Sequence, residues 1–143
     1  MYKARELKLG RIFEVKCEPG DDYFSEINKF VKKENIRAGS VFLLGALTDT
    51  EMISGFNSME GYDVARHHFN NQWRELVAYG NISWPDKPPA ALGEGVVWDE
   101  PQPYVHIHMA ISGGPGKNED VLVGHLSNGT LKGGLTTQIY ELV

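Results

Sequence analysis

Residues 104–126 read YVHIHMAISGGPGKNEDVLVGHL. Tyr104 to Ile111 alternates apolar with polar residues, the period of a strand with one face buried. Ser112 to Asn118 is crowded with residues that form turns, three of them glycine and one proline. Val121 to Leu126 then resumes the β-branched and aliphatic character of a returning strand. The stretch therefore predicts a β-hairpin, and the rest of the chain is read outward from it. Side chains two apart on a strand project from the same face, so His106 and His108 point one way. If 104–111 pairs with 121–127, His125 falls almost opposite them, where facing Cβ atoms sit about 4.5–5.5 Å apart. Three imidazoles so placed can converge on one ion at about 2.0–2.1 Å. Gly124, beside His125, allows a close backbone approach.

Three neutral nitrogen donors with a fourth position open describe a zinc site that keeps a water or admits a substrate. Ligand type alone does not separate zinc from another divalent transition metal. An HxH pair is weak by itself, and three unrelated histidines on a solvated strand are the plain alternative; the hairpin spacing of His125 favours the metal. Glu94, in the irregular segment before the histidine strand, is a candidate acid/base partner or fourth ligand, although such a residue is more often simply solvated. His67 and His68 are adjacent, so on a strand they face opposite sides and do not chelate together. The glycines of 113–116 lack the following helix and Lys-Ser/Thr of a phosphate cradle, and a hairpin loop explains them better.

Upstream, Arg11 to Cys17 reads as a first strand, and Glu18-Pro19-Gly20-Asp21 as a turn. Asp21 or Asp22 then caps a helix over residues 22–35, its stripe formed by Tyr23, Phe24, Ile27, Phe30 and Val31. Ser40 to Leu47 is a nearly continuous apolar run, as in a strand buried on both faces. Glu51–Phe56, Asp63–Phe69 and Arg74–Ile82 are further strands. Residues 83–103 hold five prolines and two of the three tryptophans, with a short strand expected at 95–98. After a break at Asn128-Gly129, Leu135 to Val143 makes a terminal strand. One helix and many strands give an α+β fold with a largely antiparallel sheet core. Core packing is the default expectation for Trp73, Trp84 and Trp98.

The 143 residues fit one domain, 1–143, with 41% hydrophobic and 23% charged residues. No run of about 18 apolar residues suggests a membrane span, and the first residues lack the apolar core of a signal peptide. A cytoplasmic location is expected. The lone cysteine, Cys17, cannot make an internal disulfide and reads as a strand-end thiol. Fourteen basic against nineteen acidic residues leave a net charge of −5. Phosphate-backbone binding is driven by clustered Lys and Arg, so this balance argues against broad affinity for nucleic acid.

Several segments, taken in order, resemble a known family. They are Glu18-Pro19-Gly20-Asp21-Asp22, Ile36-Arg37-Ala38-Gly39-Ser40-Val41, Leu44-Gly45-Ala46-Leu47-Thr48-Asp49 and Leu76-Val77-Ala78-Tyr79-Gly80-Asn81-Ile82. His106-Ile107-His108-Met109, Val123-Gly124-His125-Leu126 and Gly129-Thr130-Leu131 complete the set. Together they resemble the plants-and-prokaryotes-conserved (PPC) domain over nearly the whole chain. The resemblance implies an α+β homotrimer in which His106, His108 and His125 hold a metal, typically zinc, near subunit boundaries. Plant members pair this domain with AT-hook DNA-binding segments and use it for protein association. Prokaryotic members stand alone and are commonly labelled candidate DNA-binding proteins, and this chain resembles that type. It contains no Arg-Gly-Arg element of the AT-hook kind. The resemblance thus implies protein partners and weak or indirect DNA association in a regulatory role through assembly, more than catalysis. The alternative is a zinc-dependent enzyme, decarboxylase- or hydrolase-like, since the fold resembles that of acetolactate decarboxylase, whose three-histidine zinc site is catalytic.

Overall fold

The computed structural model describes all 143 residues. Seven strands and one α-helix follow in the order β1 (Leu9–Val15), α1 (Tyr23–Lys33), β2 (Gly39–Phe56), β3 (Val64–Phe69), β4 (Arg74–Ser83), β5 (Tyr104–Ser112), β6 (Val121–Leu131) and β7 (Thr136–Leu142). Every pairing is antiparallel, in the order β1-β7-β2-β4-β5-β6, with β3 on β2. The far half of β2 also pairs with β6, so β2, β4, β5 and β6 close a ring. Closure leaves β4, β5 and β6 without a free edge, and only β1 and β3 have a single partner.

The 18-residue β2 makes the closure possible. Its first half, from Gly39, pairs with β4 on one side and β7 on the other. Beyond Leu47 the partners change to β6 and β3, with register shifts in the β6 ladder at Leu47/Asp49 and Glu51/Met52. The two strands expected at 40–47 and 51–56 are therefore one. Thr48 and Asp49 look like a break, yet the backbone remains extended because new partners take over its hydrogen bonds there. The expected break at Asn128-Gly129 is likewise bridged, with Gly129 opposite Thr50 inside β6.

Helix α1 is somewhat shorter than the 22–35 expected. Asp22 is its N-cap, its side chain accepting from the Ser25 backbone N–H at 2.8 Å. Glu26 in the first turn and Lys32 and Lys33 in the last complement the helix dipole. Asn35, at φ 51°, turns the chain into the left-handed region just past the helix end. Tyr23, Ile27 and Val31 are fully buried, one above another on the face that meets β5 and β6. There they join Ile107, Ile111 and Leu126 in the core. Each fully buried aliphatic side chain of this kind contributes about 1.5–3 kcal/mol of transfer free energy.

Residues 84–103 run irregularly apart from a single 3₁₀ turn at Ala90–Leu92. The short strand expected at 95–98 does not form; Val97 is 82% exposed, with no neighbouring strand to receive its hydrogen bonds. The segment is anchored by Trp84, whose indole N–H donates to the Ile36 carbonyl at 2.7 Å while Arg37 stacks over its ring. None of the three tryptophans belongs to the buried core, contrary to the packing default: Trp73 is exposed and Trp84 and Trp98 are half-buried. No helix is long and apolar enough to cross a membrane.

A three-histidine candidate metal centre

Strand β5 alternates between two faces. Val105, Ile107 and Met109 enter the core, so His106 and His108 must face outward. His108 pairs directly with His125 across the β5–β6 ladder, as the hairpin spacing predicted. Two glycines fit this region together. Gly80, opposite Ile107 on β4, leaves room for the His106 carbonyl, which would lie 2.3 Å from any added Cβ. Gly124 admits β2 even more closely, since a Cβ there would lie 2.0 Å from the Ile53 carbonyl oxygen. Ile53 pairs with His125, whose ring is buried.

The three imidazoles each offer a nitrogen within 4.8 Å of the other two. Ring centroids are separated by 4.8 Å (His106–His108), 5.0 Å (His106–His125) and 5.7 Å (His108–His125). The Nε2 atoms of His106 and His108 share a hydrogen bond at 3.1 Å. Tetrahedral coordination at 2.0–2.1 Å needs nitrogens roughly 3.4 Å apart, so small ring adjustments suffice for one ion. The donor set, three imidazoles, fits a borderline divalent metal.

Burial keeps His106 and His125 in the neutral form a metal needs. Burial pushes the His125 pKa down from 6.5 to about 4, with His106, His108 and Arg66 adding unfavourable positive charge. His106 is lowered as well, by burial first and then by His108. Tyr104 lies beside them, its hydroxyl 3.4 Å from His125 Nε2 and its pKa raised by burial to about 12, so it remains a neutral phenol.

Around the cluster opens a hollow of about 490 Å³ walled by Ile53, Phe56, Tyr62, Tyr104 and the three histidines. Glu94 is exposed and lines a different hollow, beside Tyr62, Asp63 and Arg66. No Asp, Glu or Cys joins the three-histidine group. His67 and His68 do not join the cluster. His67 bonds to Ser54 Oγ at 2.7 Å, and the exposed His68 lies 3.7 Å from Asp49. Cys17 is half-buried, and burial raises its pKa, which holds it as an unreactive thiol. Arg66 and Ser54 near the site were missed by sequence reasoning. Neither has a motif, and only the pairing of β2 with both β3 and β6 carries them there.

Fold and site together define an antiparallel α+β protein with a histidine triad able to hold a metal. The chain belongs to the Plants and Prokaryotes Conserved (PCC) domain family, whose model matches residues 4–141. Solved structures share the fold. A metal-containing protein from Archaeoglobus fulgidus superposes with a TM-score of 0.74 at 20% identity, covering 99% of this chain and 86% of that one. A plant- and prokaryote-conserved protein from Pyrococcus horikoshii gives 0.74 at 22% identity, covering 99% and 85%. A protein from Bacteroides thetaiotaomicron, named as a candidate DNA-binding protein, gives 0.63 at 20% identity, covering 94% and 82%. No curated protein matches the chain by sequence.

Proposed function

We propose that this protein is a homotrimeric module that binds one divalent metal per chain, best fitted by zinc, through His106, His108 and His125. Its regulatory role is DNA-associated and is exerted through assembly. The observation that carries the reading is the convergence of the three imidazole nitrogens within 4.8 Å. The lowered pKa values of His106 and His125 support it, because weakly held protons compete less with a metal for the ring nitrogens. The metal-containing relative from A. fulgidus agrees with it.

Assembly is supported by the outward face of β2 and β4. Phe42 pairs with Tyr79 and Leu44 with Val77, and these four side chains are 44%, 55%, 64% and 55% exposed respectively. Tyr79 in turn lies opposite His108, so the apolar face runs up to the histidines. An apolar patch of this kind on a small domain marks an interaction surface. A trimer closed through it has the metal near a subunit boundary. The net charge of −5 supports association with a DNA-bound complex over direct groove contact.

The test is zinc titration by calorimetry with His108→Ala as control. Because His108 is exposed, the variant should fold normally yet lose more zinc affinity than the roughly 10–100-fold that removing an outer-shell partner costs. Unaltered zinc binding in the variant would sink the metal reading. Titration against duplex DNA at several salt concentrations tests the other half: tight binding with a steep salt slope would show direct contact instead.

A further inference from the structure

The hollow over the histidines has a wall of one-sided chemistry. None of the residues lining it is Asp, Glu, Lys or Arg, and most of its surface is apolar or aromatic. Phe56 ends β2, three residues past Ile53, which pairs with His125, so strand pairing carries the phenyl ring there. Tyr62 follows in the turn before β3 and meets Phe56 edge to face, with ring centroids 5.9 Å apart. Pro89, from the irregular segment after β4, joins them in the wall. Phe56 and Tyr62 are nonetheless 70% and 43% exposed. Aromatic surface left open beside a concave space is what a bound molecule would cover. The volume, about 490 Å³, falls in the range of small-molecule pockets, roughly 300–1,000 Å³.

Charge decides what kind of molecule that is. Three imidazoles bind a metal in their neutral form, so they bring no negative charge to a divalent ion. The ion would keep both its positive charges against a wall that holds no carboxylate. A charge facing apolar surface is costly unless it is paired, and three protein ligands leave the fourth position free for a partner. One hydrogen-bond donor stands close by. Tyr104 stacks on His106 at 5.8 Å between ring centroids, and its hydroxyl lies 3.4 Å from His125 Nε2.

We infer that the hollow binds a small carboxylate with an aromatic body. The carboxylate takes the fourth position on the ion and accepts a hydrogen bond from the Tyr104 hydroxyl, while the aromatic ring rests against Phe56 and Tyr62. The inference rests on the metal reading above and adds a ligand class to it. A short carboxylate answers the charge but leaves the aromatic wall bare, and a neutral aromatic alcohol does the reverse.

Benzoate, acetate and benzyl alcohol separate the two requirements. Calorimetry on the full chain, first loaded with zinc and checked for zinc uptake, should show benzoate binding at least tenfold tighter than either of the others. Phe56 lies outside the core, so Phe56→Ser should fold normally, weaken benzoate about fivefold and leave acetate and zinc within twofold. Tyr104→Phe should weaken benzoate and acetate alike, about fivefold, with zinc affinity within twofold. A hydroxyl that merely held His125 in place would instead cost zinc roughly 10–100-fold, which would overturn the part given to Tyr104. Removing the zinc from the wild type should weaken benzoate at least tenfold. A zinc-loaded chain that binds benzoate no tighter than acetate or benzyl alcohol overturns this inference alone, as does benzoate binding that survives zinc removal unchanged. A chain that takes up no zinc sinks the metal reading before any benzoate is added, and this inference falls with it.

Discussion

His125 is where burial and chemistry meet in a single side chain. It sits 9% exposed, beside two other imidazoles and within the field of Arg66. In the folded, metal-free protein its pKa is about 4, against 6.5 when unfolded. Between those values the unfolded chain binds a proton that the folded chain refuses, so stability falls as pH drops from about 6.5 and levels off below about 4. His106 acts in the same direction. After allowance for solvent screening the loss should be about 2 kcal/mol. Urea midpoints measured across that range on metal-free protein should show this, and His125→Asn should flatten the curve. A midpoint that does not move between pH 7 and 4 would contradict the burial argument.

At the scale of elements, two contacts govern whether the histidine strands are held in place. Gly124 lets β2 pass against β6, so Gly124→Ala forces a methyl into the Ile53 carbonyl. Backbone atoms cannot step aside as a flexible side chain can. The variant should lose about 3 kcal/mol or more, with zinc affinity falling alongside, read by denaturant melts and calorimetry. A normal melt would mean that β2 does not press on β6. The N-cap of α1 is the second contact. Asp22 accepts from Ser25 N–H through one oxygen and from the Asn128 amide through the other, tying the helix to β6. Asp22→Ala should cost about 1–2 kcal/mol in urea unfolding and leave zinc binding intact, because the cap lies away from the imidazoles.

For the whole molecule, the open question is what covers the outward face of β2 and β4. Phe42, Leu44, Val77 and Tyr79 surround one another there without entering the core. If the trimer closes through this face, light scattering should give three times the 16.0 kDa chain mass. Leu44→Asp should then dissociate the assembly into folded monomers, since Leu44 is 64% exposed within one chain. A wild-type chain that scatters as a monomer would remove the assembly half of the proposed function.

Local sequence determined the elements whose pattern repeats within a few residues. The Tyr23–Ile27–Val31 stripe, the Asp22 cap and the alternation through His106 and His108 each state their own geometry, because helix and strand periods are properties of short backbone. The hairpin put His125 opposite His108 for the same reason: only a loop of a few residues separates the strands. Pairing between distant segments carries no such signature. That β2 runs unbroken through Thr48 and Asp49, exchanges β4 and β7 for β6 and β3, and so presses Ile53 against Gly124 and brings Arg66 near the histidines, was decided only when the sheet closed. Such contacts depend on which strands compete for the same backbone hydrogen bonds, and that competition exists only in three dimensions.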